Sequence, residues 1–149
     1  MFWAEKIADD VEKKYADLIK AGVPLVVRDE KTASGKPHVG SLRTAGLHAI
    51  VADVLHSRNI PMKFLFEIND FDSMDGIPYY LDQAEYQQYM GMPLYKIPSP
   101  EAGYANFAEC YGQEYVKVLR DIGFEIEVYR ASDLYLGGKM NNAIRLTLE

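Results

Sequence analysis

The sequence predicts an α/β protein built on a Rossmann-like parallel sheet, and three observations carry that prediction. Short apolar runs rich in β-branched residues alternate with stretches of helical periodicity. Each passage from strand through helix to strand is long enough for a crossover, which implies parallel pairing with a right-handed connection. The long segment 69–103 between the second and third strands breaks the rhythm and reads as an insertion.

Trp3, Ile7, Val11, Tyr15 and Leu18 recur at spacings of three and four, predicting one amphipathic helix that stops at Gly22, with Pro24 barring its continuation. Leu25, Val26 and Val27 form a buried strand, followed by a polar loop from Arg28 to Pro37. The second helix runs from about Gly40 to Ser57. Leu42, Ala45, Leu47, Ile50, Val51, Val54 and Leu55 make it apolar almost all round, so it should be packed on several sides. Asn59 and Pro61 repeat the stop signal, and Met62 to Ile68 reads as the second strand. Phe107, Tyr111, Tyr115, Val118 and Ile122 mark the face of a third helix. Gly123 ends it, Phe124 to Tyr129 alternates as a third strand, and a last helix begins near Lys139. The chain stops inside that helix, giving the expectation that 1–149 is a partial Rossmann-type domain.

Bulk properties narrow the function classes. Hydrophobic residues make up 48% of the 149, enough for a core and against a disordered tail. The formal net charge of -6 excludes a broad basic field, so a main docking surface for a nucleic-acid backbone is expected elsewhere. Cys110 is the single cysteine, which rules out an internal disulfide and suits a reducing compartment. The first twenty residues mix acids and lysines, unlike a secretion signal, and no apolar run approaches a membrane span. A cytoplasmic location is expected.

The segment Thr32-Ala33-Ser34-Gly35-Lys36-Pro37-His38-Val39-Gly40-Ser41 carries the chemistry. It joins the carboxyl end of the first strand to the start of the second helix, where open α/β sheets bind ligands. A helix start offers unpaired N–H groups and a positive dipole end to phosphate. Gly35 and Gly40 allow close approach of the backbone, and His38 and Ser41 can donate to phosphate oxygens. The same residues could equally make a tight turn, with Ser34 or Ser41 as the helix N-cap. The acids Glu67, Asp70, Asp72 and Asp75 at the end of the second strand leave a similar choice between a solvated loop and a cation pocket.

The spacing Ser34-Gly35-x-x-His38-x-Gly40 resembles the His-Ile-Gly-His signature of class I aminoacyl-tRNA synthetases, with Ser41 where many members carry His or Asn. Phe2-Trp3-Ala4, the run from Val27 to Gly35, the run from Phe64 to Asp72, Met74-Asp75-Gly76, Ser132 to Tyr135 and Gly138 to Asn141 extend the resemblance to the class I lysyl-tRNA synthetases over nearly the whole chain. The loop and the second-strand end are also similar to glutamyl-tRNA synthetase, but four acids suit an ammonium group where a glutamate pocket needs cations.

The resemblance implies lysine–tRNA ligase activity: ATP with Mg2+ activates lysine, and the lysyl group passes to tRNA-Lys in the full-length enzyme. It implies His38 and Ser41 as catalytic residues and Ser34, Gly35, His38, Gly40 and Ser41 as the ATP contacts. Arg28, Asp29, Glu30, Thr32, Asn69, Asp70 and Asp72 would form the lysine side. Some relatives carry a Cys/His metal cluster in the inserted region, but residues 92–104 contain neither residue, so no zinc or other metal site is expected. His48 and His56 read as packing or surface residues, and Lys139-Met140 as a helix start and not the family's Lys-Met-Ser-Lys-Ser signature. By the same resemblance the chain is expected to be a truncated fragment lacking that second signature: a partial Rossmann-type catalytic domain over 1–149, with the anticodon-binding domain absent. Two alternatives stand beside it: a non-catalytic adenylate-binding or partner-completed half-synthetase module, completed by a separate C-terminal half, and another nucleotidyl or adenylyl transferase using the His-x-Gly loop.

Overall fold

The computed structural model describes residues 2–149; Met1, the first residue of the expected 1–149 domain, lies outside them. Strands β1 (Leu25–Thr32), β2 (Met62–Asn69) and β3 (Glu127–Arg130) form one sheet in that order, all parallel. Pairing runs in register from Leu25 opposite Met62 to Thr32 opposite Asn69, and from Leu65 opposite Glu127 to Ile68 opposite Arg130. The crossovers carry helices α3 (Val39–Ser57) and α5 (Phe107–Asp121). Helices α1 (Trp3–Lys14) and α2 (Ala16–Lys20) precede the sheet, α4 (Gln83–Tyr86) lies in the insertion, and α6 (Ala131–Leu136) and α7 (Asn141–Leu148) follow β3. No helix among the described residues is long and apolar enough to cross a membrane.

Successive side chains of a strand point to opposite faces, and here the two faces differ sharply. Phe64, Phe66 and Ile68 of β2 are buried against α3 and α5. Phe66 stacks on Tyr115 of α5 with ring centres 5.5 Å apart, and Gly112 lets α5 press onto Ile68. Removing each of these large side chains from water contributes on the order of 1.5–3 kcal/mol. The opposite face carries Val26, Arg28, Glu30, Leu65 and Glu67; it is open along β1, where Val26 is 57% exposed, whereas Glu67 in the central strand is 6% exposed beside Arg28. The expectation of a short, wholly buried first strand is therefore corrected. β1 continues through Arg28-Asp29-Glu30-Lys31-Thr32, the stretch expected as loop, because alternate charged residues can face solvent.

The amino-terminal helix also departs from expectation. It breaks at Tyr15, and its tightly packed residues are Ala4 and Ala8, one turn apart, whereas Trp3, Ile7 and Leu18 stay substantially exposed. Ala8 meets Leu55 and Ile60 in a small second cluster. Arg58, past the end of α3, clamps α1 by donating to Asp9 (2.8 Å) and Glu12 (2.5 Å). Helix α3 is packed on two sides, by Ala45, Ala49 and Ala52 against the sheet cluster and Leu55 against α1, while Leu47 remains exposed. Asn59 and Gly123 take left-handed conformations that stop α3 and α5, as expected. On α5, Phe107, Tyr111 and Tyr115 are buried as expected, but Leu119 completes the stripe and Ile122 points outward. The third strand starts at Glu127; Phe124 and Ile126 pack partly into the core before pairing begins.

The insertion is ordered. Met74, Tyr86, Leu94 and Ile97 join the same core as the sheet. Its backbone is stitched to the end of β2 by bonds from Leu94 N–H to Asp72 O (2.8 Å) and Tyr95 N–H to Asp70 O (3.0 Å).

Candidate active site

The carboxyl ends of β1 and β2 and the amino end of α3 meet in one place. The Ala33 N–H bonds Asn69 O at 3.2 Å, continuing the ladder beyond the strands. The Thr32 hydroxyl donates to Asp72 Oδ2 at 3.1 Å, so Thr32, Asn69 and Asp72 share this edge. Ser34 N–H turns back to Thr32 O (2.8 Å), and the loop then rises through Gly35 and Lys36 to His38.

His38 itself caps α3, in place of Ser34 or Ser41. Its Nδ1 accepts the Ser41 N–H at 3.2 Å, and the Ser41 hydroxyl accepts the His38 N–H at 3.2 Å, a reciprocal capping box. The consequence is chemical. A ring nitrogen that accepts a hydrogen bond carries no proton in neutral imidazole, so in that form the proton sits on Nε2, and His38 as a residue is exposed. His38 thus keeps an N–H to give at the start of α3, where the Ser41 and Leu42 amides return to His38 and those of Val39 and Gly40 make no bond among the described residues. Ser41 is occupied differently: its hydroxyl donates to His38 O at 2.8 Å and belongs to the cap. Gly40 leaves room for this arrangement: a Cβ there would lie 3.2 Å from the imidazole, so the His38 ring would have to give by a few tenths of an ångström. The buried Tyr115 hydroxyl donates to Ser41 O (2.6 Å) and fixes the first turn of α3; burial raises its phenol pKa.

The remaining residues expected on the lysine side fall elsewhere. Asp70 is 3% exposed, and both carboxylate oxygens are used at the start of α6, accepting the Ser132 N–H (2.7 Å) and hydroxyl (2.6 Å). Arg28 lies on the face left open along β1, where it donates to Glu67 (2.5 Å) and to the Tyr129 hydroxyl (2.6 Å), with Glu30 at 3.8 Å. The Glu67 bond, followed by Tyr129, raises the Arg28 pKa. Asp29 points to the helix face, its Oδ2 3.2 Å from Nδ1 of His48: ion-pair distance, but outside hydrogen-bonding geometry. At roughly 3.3 Å per residue, Arg28 is about 13 Å down β1 from Thr32. The structure thus brings Thr32, Asn69 and Asp72 together with the loop, leaves Arg28, Asp29 and Glu30 further down β1, and commits the carboxylate of the adjacent Asp70 to Ser132.

Among the described residues, no three His, Cys, Asp or Glu side chains converge as a cation site. A groove of about 460 Å³ lies at the opposite end of the sheet, floored by Ala49, Ala52 and Phe64 and closed by residues 123–127. It is a trough left by small side chains, remote from the loop. Sequence reasoning missed Tyr80, whose hydroxyl accepts the Lys36 N–H at 2.7 Å. No local pattern announces a contact across 44 residues.

The sequence profile described as tRNA synthetases class I (K) matches residues 1–149, the entire chain. The chain belongs to that family. Among individual relatives, the lysine–tRNA ligase of Methanosarcina barkeri is 30% identical over 147 residues, covering 98% of this chain and 26% of that protein. The ligase of Methanocaldococcus jannaschii is 30% identical across 100% of this chain and 27% of its own length. For that of Archaeoglobus fulgidus the values are 31%, 100% and 29%. The chain therefore spans about a quarter of the length of the curated relatives it matches. As a member of the class I (K) synthetases, it carries the family's parallel α/β half with the His38-x-Gly40 loop at its carboxyl edge.

Proposed function

We propose that this chain forms the ATP and lysine site of a lysine–tRNA ligase, the part of the enzyme in which lysyl-adenylate is made. The observation that carries the reading is the His38 cap, which uses Nδ1 and leaves Nε2–H to donate at the start of a 19-residue helix whose Val39 and Gly40 amides make no bond among the described residues. In the proposed reaction, a lysine carboxylate oxygen attacks the α-phosphorus of magnesium-bound ATP. The new P–O bond forms as the bond to the bridging oxygen breaks, and pyrophosphate leaves. His38 Nε2–H and the first amides of α3 donate to phosphate oxygens as negative charge builds on them. The backbone of Ser34, Gly35 and Gly40 shapes the cradle, and Ser41 acts through the cap.

On the amino-acid side, Asp72 is the acid already at the edge, held by Thr32, and is assigned to the lysine ε-ammonium, with Asn69 supplying neutral contacts. Asp70 is assigned to positioning, because it orders the turn into α6. Arg28, Asp29 and Glu30 are assigned to shaping β1. Transfer of the lysyl group to tRNA, in the cytoplasm, is proposed for the full-length ligase. Residues 1–149 are proposed as part of its catalytic domain, with 69–103 an insertion within it.

His38→Ala tests the reading. Losing one hydrogen bond to a charged phosphate should weaken ATP binding about tenfold or more, with the circular-dichroism spectrum retained. Unchanged affinity in a folded variant overturns the assignment. A chain that binds the adenylate but, with a separately supplied C-terminal half, makes none would instead support a non-catalytic adenylate-binding module.

A further inference from the structure

The apex of the loop, residues 35–37, makes one hydrogen bond among the described residues, and its partner comes from the insertion. Tyr80 accepts the Lys36 N–H at 2.7 Å, and the Lys36 ammonium lies 5.4 Å from the centre of the same ring. Gly35 lies directly beneath it: a Cβ there would come within 2.8 Å of the Tyr80 hydroxyl and 3.5 Å of Pro78. Gly35 does not have a positive φ. The obstacle a side chain would meet at this position is therefore the Tyr80 hydroxyl, the end of a 38%-exposed side chain that would have to shift, and not the backbone dihedral.

Tyr80 is itself held from behind. Its ring meets that of Tyr111 edge-on at 6.3 Å, and Tyr111 meets Phe107 at 4.8 Å, both deep in α5. Gln83 Nε2 donates to Pro78 O (3.0 Å) and Leu81 O (3.1 Å), closing the turn that carries the tyrosine. The hydroxyl end makes the hydrogen bond to the loop, and the ring lies under the Lys36 ammonium.

We infer that Tyr80 is a positioning residue that fixes the Gly35-Lys36 backbone for the nucleotide phosphates, so that the insertion sets ATP affinity. The inference rests on the nucleotide-loop reading above. A loop ordered before ligand arrives loses less freedom on binding. Phenylalanine at this position keeps the ring packing on Tyr111 and removes the hydroxyl, which is the acceptor for Lys36 and also neighbours the Tyr111 phenol.

The experiment uses the 149-residue chain with Tyr80→Phe, Gly35→Ala and the double variant. NMR solvent exchange of the Lys36 amide is read without nucleotide, and ATP affinity by calorimetry. Loss of one hydrogen bond should speed Lys36 exchange about three- to tenfold, with melting temperature and Phe66 amide protection unchanged. Gly35→Ala should do the same by displacing the hydroxyl, and should add little in the Tyr80→Phe background, where the obstructing atom is gone. ATP affinity should fall by a similar factor in each single variant and no further in the double. Unchanged Lys36 exchange in Tyr80→Phe, or additive losses in the double variant, overturns the inference. So does faster exchange with undiminished ATP affinity in a chain that binds ATP. A chain that never binds ATP yet shows faster, non-additive exchange keeps Tyr80 as the anchor of the loop and sinks the nucleotide reading instead.

Discussion

Gly112 offers a direct test of how the site is held up from below. It lies inside α5 and faces Ile68, the residue before Asn69 at the end of β2. Alanine there would place its Cβ 2.9 Å from Ile68 Cγ2 and 3.6 Å from Cγ1. Two effects oppose each other. Helix propensity alone favours alanine over glycine by about 1 kcal/mol. Overpacking against a stiff β-branched side chain in a filled core costs about 1–3 kcal/mol. Helix α5 cannot simply retreat, because Tyr115 on the same face is stacked on Phe66 and bonded to Ser41 O. Gly112→Ala should therefore lower stability by about 1 kcal/mol, the clash exceeding the propensity gain. The assay is urea denaturation at neutral pH, comparing midpoints at constant slope. Ile68→Ala, costing about 2–4 kcal/mol itself, removes the obstructing atoms, and in that background Gly112→Ala should become stabilising by about 1 kcal/mol. A stabilising effect in the native background, or the same sign in both, would refute the packing account.

Asp70→Ala should cost about 2–3 kcal/mol, because it leaves the Ser132 N–H and hydroxyl without the carboxylate that satisfies them; a thermal melt indistinguishable from the parent contradicts this. Glu109 supplies the pH test. The Ala105 N–H at 2.6 Å, and then Arg130, hold its carboxyl below the usual carboxylate range. A depressed folded value adds stability that is fully present above the unfolded value, roughly pH 4.3, and is lost as pH falls through the folded one. Glu109→Gln should cost about 1 kcal/mol at pH 7, with the difference closing in strong acid. A pH-independent difference would show that the charge plays no part.

Much of this architecture was legible because burial imposes periodicity. The runs at Leu25 and Met62, the stops at Asn59 and Gly123, and the aromatic stripe of α5 each leave a local pattern. The second half of β1 left none. Arg-Asp-Glu-Lys-Thr looks like a loop unless one knows that one sheet face is open along β1 and that His48 waits for Asp29 on the other. α1 was misjudged for a related reason: alanines permit the close approach to α3, and large residues drew the eye. Within the site, the loop was named from the sequence, and Thr32 and Asp72 among the seven residues of the lysine side, but their partners were not. His38 as the cap, Tyr115 on Ser41 O and Tyr80 on Lys36 depend on contacts across 3, 74 and 44 residues, and only the first is short enough to show locally. The acids illustrate the same limit. Composition makes Asp70 and Asp72 equivalent, whereas burial commits Asp70 to Ser132 and leaves Asp72 at the edge.

The most direct test of the central claim is calorimetric titration of the folded 149-residue chain with a non-hydrolysable lysyl-adenylate analogue, run against the glutamyl analogue. The account predicts binding of the lysyl compound with at least about a tenfold preference, the discrimination of one ammonium–carboxylate pair. Equal affinity, a preference for the glutamyl analogue, or no binding by a folded, monodisperse chain would contradict it.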